Sequence, residues 1–271
     1  MGTAVKSSQP PIGTLLREWR AARRMSQLDL ALEAGISARH LSCVETGKSQ
    51  ASRETVGQLA NALGMPLREH NLLMLAAGYA PQFCETSLYT SELERMNQAI
   101  ELILLHQEPY PAFVISRHWE ILLTNQAARM ISFLMGGRPL RHKNMLHNVF
   151  DPEDFRPVIV NWTDIAGWFI RHLHEEIAVS PSDRGARQLL KEILAYPGVP
   201  GHWRFRDVDT EIYPVLNLVY RSSAGQLRFF ETITTFAGPR DVTLAELRIE
   251  CFFPADEMTT ALCSRLAQGE L

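Results

Sequence analysis

A chain of 271 residues exceeds one minimal domain and predicts two, and its 46% hydrophobic and 21% charged residues exclude a disordered, collagen-like or coiled-coil protein. No apolar run approaches the roughly 18 residues of a membrane span, Met1 to Gly13 lacks the apolar stretch of a secretory signal, and Cys43, Cys84, Cys251 and Cys263 form no C-x-x-C pair; a cytoplasmic protein with reduced thiols and no membrane partner is expected. The net charge of −3 averages over unlike parts: nine basic against six acidic side chains give residues 1–80 a net +3, and the remainder carries −6, which suggests a small basic module joined to an acidic one.

Residues 1–10 are expected to form a disordered N-terminus, and residues 11–80 a domain of five short helices. Ile12, Leu15, Leu16 and Trp19 recur at helical spacing, with Arg17, Arg20, Arg23 and Arg24 on the other face. Ser26 is placed to cap a second helix from Gln27 to Ala34, which Gly35 breaks. Ser37 caps a third to about Thr46, closed by Gly47 in the left-handed position where glycine costs least. Helices from about Arg53 to Leu63 and Leu67 to Ala77 complete the set.

The segment Ser26-Gln27 … Leu30-Ala31 … Ala34-Gly35-Ile36-Ser37 … Leu41 … Val44-Glu45 … Gly47-Lys48 resembles the helix-turn-helix of the phage-repressor-like (Xre) family, which implies an all-α, lambda-repressor-like module that binds double-stranded operator DNA. The second helix of such a pair enters the major groove with its N-terminal residues on base edges, here Ala38, Arg39, His40, Ser42 and Cys43. Arg39 leads for direct readout, because a guanidinium bonds guanine O6 and N7 together. His40 and Ser42 assist or touch phosphate, while Ser26 and Gln27 at a helix N-terminus, with Lys48, Ser49 and Ser52, are expected on the DNA backbone. The competing reading leaves Arg39 and His40 merely solvated. Cys43 is read as a small packing or base-facing residue rather than a redox sensor.

Gly78-Tyr79-Ala80-Pro81 ends the fifth helix, and residues 81–90 lack periodicity and are read as a linker to a domain over 91–271. A helix from about Ser91 to Gln107 leads into short strands, Ala112 to Ser116 and Glu120 to Thr124. Helices follow over Asn125 to Met135, Phe155 to Val179 and Asp183 to Tyr196. Strands over Val215 to Arg221, Gln226 to Phe236 and Ala245 to Phe253 precede a last helix from about Asp256. Two early strands, intervening helices and three late antiparallel strands predict an α+β domain with one five-stranded antiparallel sheet, in the element order of a PAS-like sensor. Pro111-Ala112-Phe113-Val114, Trp119-Glu120-Ile121-Leu122, Asn125-Gln126-Ala127-Ala128 and Asp241-Val242-Thr243-Leu244-Ala245-Glu246-Leu247-Arg248-Ile249-Glu250 resemble the C-terminal domain of regulators related to the methylenomycin regulator MmyB. That resemblance implies a domain that accepts a small, largely apolar effector, fatty acids among the candidates, and requires no cofactor.

Trp162, Ile165, Phe169 and Leu173 form one stripe at helical spacing, and Phe229, Ile233, Phe252 and Phe253 decorate the strands. Ordinary core and cavity wall both remain open for each. A bound carboxylate needs a cation, for which Arg171 and His172, or Arg228 and Arg248, are candidates; solvated or structurally paired side chains are the other reading. His172-Leu173-His174-Glu175-Glu176 looks metal-like, yet residues two apart on a helix point away from each other and cannot share a metal, so a solvated face is expected. Ala77-Gly78 matches a self-cleavage dipeptide of some repressors, but no serine lies at the required separation before Lys143 or Lys191. The chain is thus read as a non-enzymatic, one-component transcription regulator, expected to be a homodimer; the alternative makes the larger domain a dimerisation or partner-binding platform without ligand.

Overall fold

The computed structural model describes residues 10–88, 90–205 and 217–270; the N-terminal stretch 1–9 and the first residues of the strand expected from Val215 lie outside them. Contacts divide the chain into two units. In the first, helices α1 (Ile12–Ala22), α2 (Gln27–Glu33), α3 (Ala38–Glu45), α4 (Arg53–Ala62) and α5 (Leu67–Ala76) surround a core built on Leu16, Trp19, Leu30, Leu41 and Leu59. The expected caps hold, the hydroxyls of Ser26 and Ser37 accepting from the amides of Asp29 and His40; Ser52, expected on the DNA backbone, also caps α4 by accepting from Thr55 N. Gly47 takes the left-handed φ predicted for it, 72°, and Gly35, where the helix breaks, takes one of 67°.

Residues 81–85 are tied to α5, since Asn71 Oδ1 accepts from the amides of Gln82 and Phe83 and its Nδ2 donates to Phe83 O. Residues 176–184 and 240–242 belong to the same unit. Trp19 Nε1 donates to Ser182 Oγ at 3.2 Å, Ser182 donates in turn to Glu69, and Val242 N donates to Cys84 O at 2.8 Å. The division therefore differs from a single cut at 81–90. Contacts over more than a hundred residues of separation leave no local pattern to read.

The second unit begins with α6 (Glu94–His106), β1 (Ala112–Ile115), β2 (Ile121–Thr124), α7 (Gln126–Gly136) and α8 (Met145–Phe150). It continues with α9 (Trp162–Val179), whose last residues fall in the first unit's contacts, α10 (Arg184–Leu194), β3 (Asn217–Ser222), β4 (Gly225–Thr234), α11 (Val242–Glu246), β5 (Arg248–Pro254) and α12 (Glu257–Ala267). As predicted, two early and three late strands make one antiparallel sheet, in the order β2-β1-β5-β4-β3. Alternation splits its faces. Ala112, Val114, Ile249 and Cys251 pack on Ile100 and Leu104 of α6, while Phe113, Glu250, Phe252, Phe229 and Glu231 share the other face through the registers Phe113↔Glu250 and Glu231↔Phe252.

Asn125 does more than cap α7. Its Oδ1 accepts from Ala112 N at 3.0 Å and Ala128 N at 2.9 Å, and its Nδ2 donates to Tyr110 O at 2.8 Å, so one buried amide joins β1 to the helix that follows β2. The helix expected from Phe155 starts later, at Trp162. Pro157 interrupts it, and Asn161 instead bonds the β3 backbone, donating to Asn217 O and accepting from Val219 N. The strand expected from Ala245 likewise begins at Arg248, because Val242–Glu246 is helical. Asn144 caps α8, an element absent from the sequence reading, by accepting from Leu146 N and His147 N.

Candidate DNA interface and ligand cavity

In the first unit, α3 buries Leu41 and Val44 and turns Arg39 fully outward, with Ala38, His40, Ser42 and Cys43 half-buried beside it. Among the described residues no hydrogen bond or ion pair holds the Arg39 guanidinium, so it is presented for an external acceptor. Lys48 and Ser52 are exposed and Ser49 half-buried.

Two of the expected backbone-binding residues are engaged locally. Ser26 and Asp29 form a capping box, in which Ser26 N donates to Asp29 Oδ2 at 2.8 Å and Asp29 N to Ser26 Oγ at 3.1 Å. The Ser26 hydroxyl and amide hold the Asp29 carboxyl below the usual carboxylate range, so a carboxylate already stands at the helix start where a phosphate was expected. The Gln27 side chain turns inward, donating to Glu45 Oε2 at 2.7 Å.

Sequence reasoning left Glu45 only as part of the family pattern. It is 3% exposed and accepts a two-pronged bond from Arg20, Nε to Oε1 at 3.0 Å and Nη2 to Oε2 at 3.3 Å. Arg20 also donates to Met25 O. One buried carboxylate therefore locks α1 and α2 to the C-terminal end of α3, the geometry that makes an arginine pair strong.

In the second unit, the sheet face carrying Phe113, Phe229 and Phe252 closes with α7, α8 and α9 around a cavity. The lining is apolar apart from Ser132, Asn148, Tyr220 and Glu231. Asn148 is committed to the chain, its Oδ1 accepting from His142 N and its Nδ2 donating to His142 O.

Of the ligand-contacting residues expected from sequence, Phe169 and Phe229 line this cavity. The others lie elsewhere. Ile165 is fully buried core, Ile233 is 39% exposed near the end of β4, and Trp162 is covered by the Arg156 guanidinium at 3.7 Å with its indole N–H on Val149 O. Arg171 is half-buried and outside the lining. His172 stacks on Trp168 at 5.2 Å, stands edge-on to Trp119 and lies 3.3 Å from Arg248 Nη1. Arg248 covers the Trp119 ring at 4.3 Å and donates to Arg117 O at 3.0 Å, and Arg228 is exposed. Nor is the His172–Glu176 stretch a solvated face, for His174 bonds Trp203 O at 2.9 Å. No group of side chains suited to a metal ion occurs among the described residues.

Sequence reasoning missed Glu231 and Glu250. Burial pushes the Glu231 carboxyl up to about 7, partly offset by His172, and lifts Glu250 well above the usual range, with Glu231 adding to the rise and Arg248 opposing it. Tyr220 is raised by burial and by both carboxyls. Glu231 is half-buried in β4 and lines the cavity.

Residues 96–266 match the MmyB-like transcription regulator ligand binding domain family, and residues 16–70 the helix-turn-helix family. The chain belongs to the MmyB-like transcription regulators. It thus pairs a helix-turn-helix DNA-binding domain with a ligand-binding domain, and the matched families are those of regulators rather than enzymes. Like this MmyB-like chain, the uncharacterized HTH-type transcriptional regulator RghRB of Bacillus subtilis carries such a segment, 37% identical over 83 residues, or 30% of this chain. The match spans 58% of that regulator's length. A solved RNA-binding light-oxygen-voltage receptor aligns with 95% of this chain and 64% of its own at 13% identity, with a TM-score of 0.24 that carries no argument. No described helix is long and apolar enough to cross a membrane.

Proposed function

We propose that the protein is a one-component regulator that reads operator DNA through α3 as a homodimer, with its operator affinity set by an elongated, largely apolar molecule in the second unit. The observation that carries this reading is the almost wholly apolar cavity in a chain whose other unit is a helix-turn-helix. One recognition helix spans few base pairs, so two copies on an inverted repeat with half-sites about one helical turn apart are expected. Ligand changes transcription only if it binds two DNA-binding geometries unequally.

Footprinting and competition binding test the DNA half. Arg39→Ala should relax specificity at one base position per half-site by about 1–3 kcal/mol, whereas Lys48→Ala should weaken all sequences alike and lower the salt dependence. Full specificity in the Arg39 variant would remove it from direct readout. For the cavity, a compound that binds only the folded chain raises its stability by about 2.7 kcal/mol at a hundredfold excess over Kd. Alkyl compounds should therefore raise the melting point and shift operator affinity together. If no apolar compound does either, the second unit is a dimerisation or partner-binding platform.

A further inference from the structure

Apart from Asn148, whose amide is taken up by His142, the polar groups lining the cavity are the Ser132 and Tyr220 hydroxyls and the Glu231 carboxyl. Among the described residues, no hydrogen bond reaches the Glu231 carboxylate or the Tyr220 hydroxyl, and both Glu250 oxygens are buried without one. Strand register brings the two acids together, and Tyr220 lines the same cavity as Glu231. Glu231 faces Phe252 across β4 and β5, Glu250 is two residues along on the same face, and Tyr220 follows one strand over, opposite Leu227. Glu231 and Glu250 are diagonal neighbours, about 7–8 Å apart, whereas Leu227, the partner of Tyr220, stands four residues from Glu231 along β4.

The cations nearby are turned to other work. Arg248, on β5, covers Trp119 and donates to backbone carbonyls, and His172, from α9, stacks on Trp168. Neither lines the cavity, and no lysine, arginine or histidine does so among the described residues. Two carboxyls thus share one guanidinium and one imidazole at the rear of the site, with Glu231 facing the empty side.

Resting on the reading of this cavity as a ligand site, we propose that it selects an apolar chain bearing a cationic, hydrogen-bond-donating head, a primary alkylamine in chemical class, and rejects the matching carboxylate. An ammonium brings three donors and one positive charge to a group of unpaired acceptors. A carboxylate adds a third acid where little water screens it. Ammonium binding also favours the ionised form of Glu231, so a proton leaves the site for solvent as the amine enters.

Decylamine, decanol and decanoate, each below micelle-forming concentration, test this on the full chain by calorimetry at pH 7. Decylamine should bind about tenfold more tightly than decanol, and decanol more tightly than decanoate. Titrations in buffers of different ionisation enthalpy should show proton release with the amine. In Glu231→Gln the amine should fall to the alcohol's affinity and the proton release vanish. Tyr220→Phe, which removes a single hydroxyl, should weaken the amine severalfold and leave decanoate unchanged, and it serves as the test if the glutamine variant does not fold. Decanoate binding as tightly as decylamine, or an undiminished amine preference in a folded Glu231→Gln, overturns the head-group inference and leaves the apolar cavity standing. Failure of all three compounds overturns the cavity reading itself.

Discussion

Replacing Gly13 with valine should unfold or displace the recognition helix and reduce operator binding by at least about a hundredfold, more than any substitution on the DNA-facing surface. A Cβ at Gly13 would fall 2.1 Å from Glu45 O, 2.7 Å from its carbonyl carbon and 2.9 Å from its Cα. These are backbone atoms of α3, so no rotamer change relieves the clash. Overpacking of a rigid site costs typically about 1–3 kcal/mol and sometimes more, against a total stability of about 5–15 kcal/mol. Relief by separating α1 from α3 pulls on the Arg20–Glu45–Gln27 bonds, whose carboxylate is buried and costly to strand. Operator binding and thermal melting of the full chain read the effect. Ala21→Val, on the exposed side of the same helix, controls for the effect of a β-branched side chain on the helix itself. Wild-type operator affinity in Gly13→Val would show that α1 and α3 do not need this approach.

No sequence pattern pointed to Gly13, because the residue that demands it lies 32 positions away. What could be read was local or periodic. Serines before helices and glycines after them placed α2 and α3 close to their ends, since capping is settled within four residues. The two-then-three order of apolar strands gave the antiparallel sheet for the same reason. Depth was another matter. Ile165 and Phe169 share one helical stripe, yet one is solid core and the other cavity wall, because periodicity assigns a face and says nothing of the space in front of it. Arg248, one of the basic residues sought for a carboxylate head, is spent on the Trp119 ring and a backbone carbonyl, partners contributed by a distant segment, and Arg228 is exposed. A usable signal did exist at Glu231. In Phe229-Phe230-Glu231-Thr232-Ile233 the acid occupies the strand register of Phe229 and Ile233, and a charge on an apolar register marks a functional candidate.

That buried acid makes the second unit lose stability as pH rises from about 5 to about 8. Glu231 titrates near 7 in the fold against an ordinary 4.5, so over this window the folded chain keeps a proton that the unfolded chain has released. Unfolding then releases protons, and stability falls with pH. At 1.36 kcal/mol per pH unit the loss is on the order of 3 kcal/mol, and Glu250, raised in the same direction, extends it. The groups facing the pair are Arg248 on β5, His172 on α9 and Tyr220 on β3; the first two temper the slope by favouring the ionised acids. Acid pH is limited by a group of opposite sign. His142 bonds Asp151 at 2.7 Å and holds its carboxyl below the usual range, so that contribution is lost as pH falls below about 4. Chemical unfolding at pH 5, 6, 7 and 8, followed by tryptophan fluorescence, should show Glu231→Gln close to wild type at pH 5, more stable at pH 8 and with a flatter profile. Decylamine should flatten the wild-type profile too, because an ammonium beside the ionised acid removes the reason to keep the proton. A flat wild-type profile, or a glutamine variant destabilised at pH 8, would mean that water reaches these carboxyls freely and that the cavity has no charge-selective end.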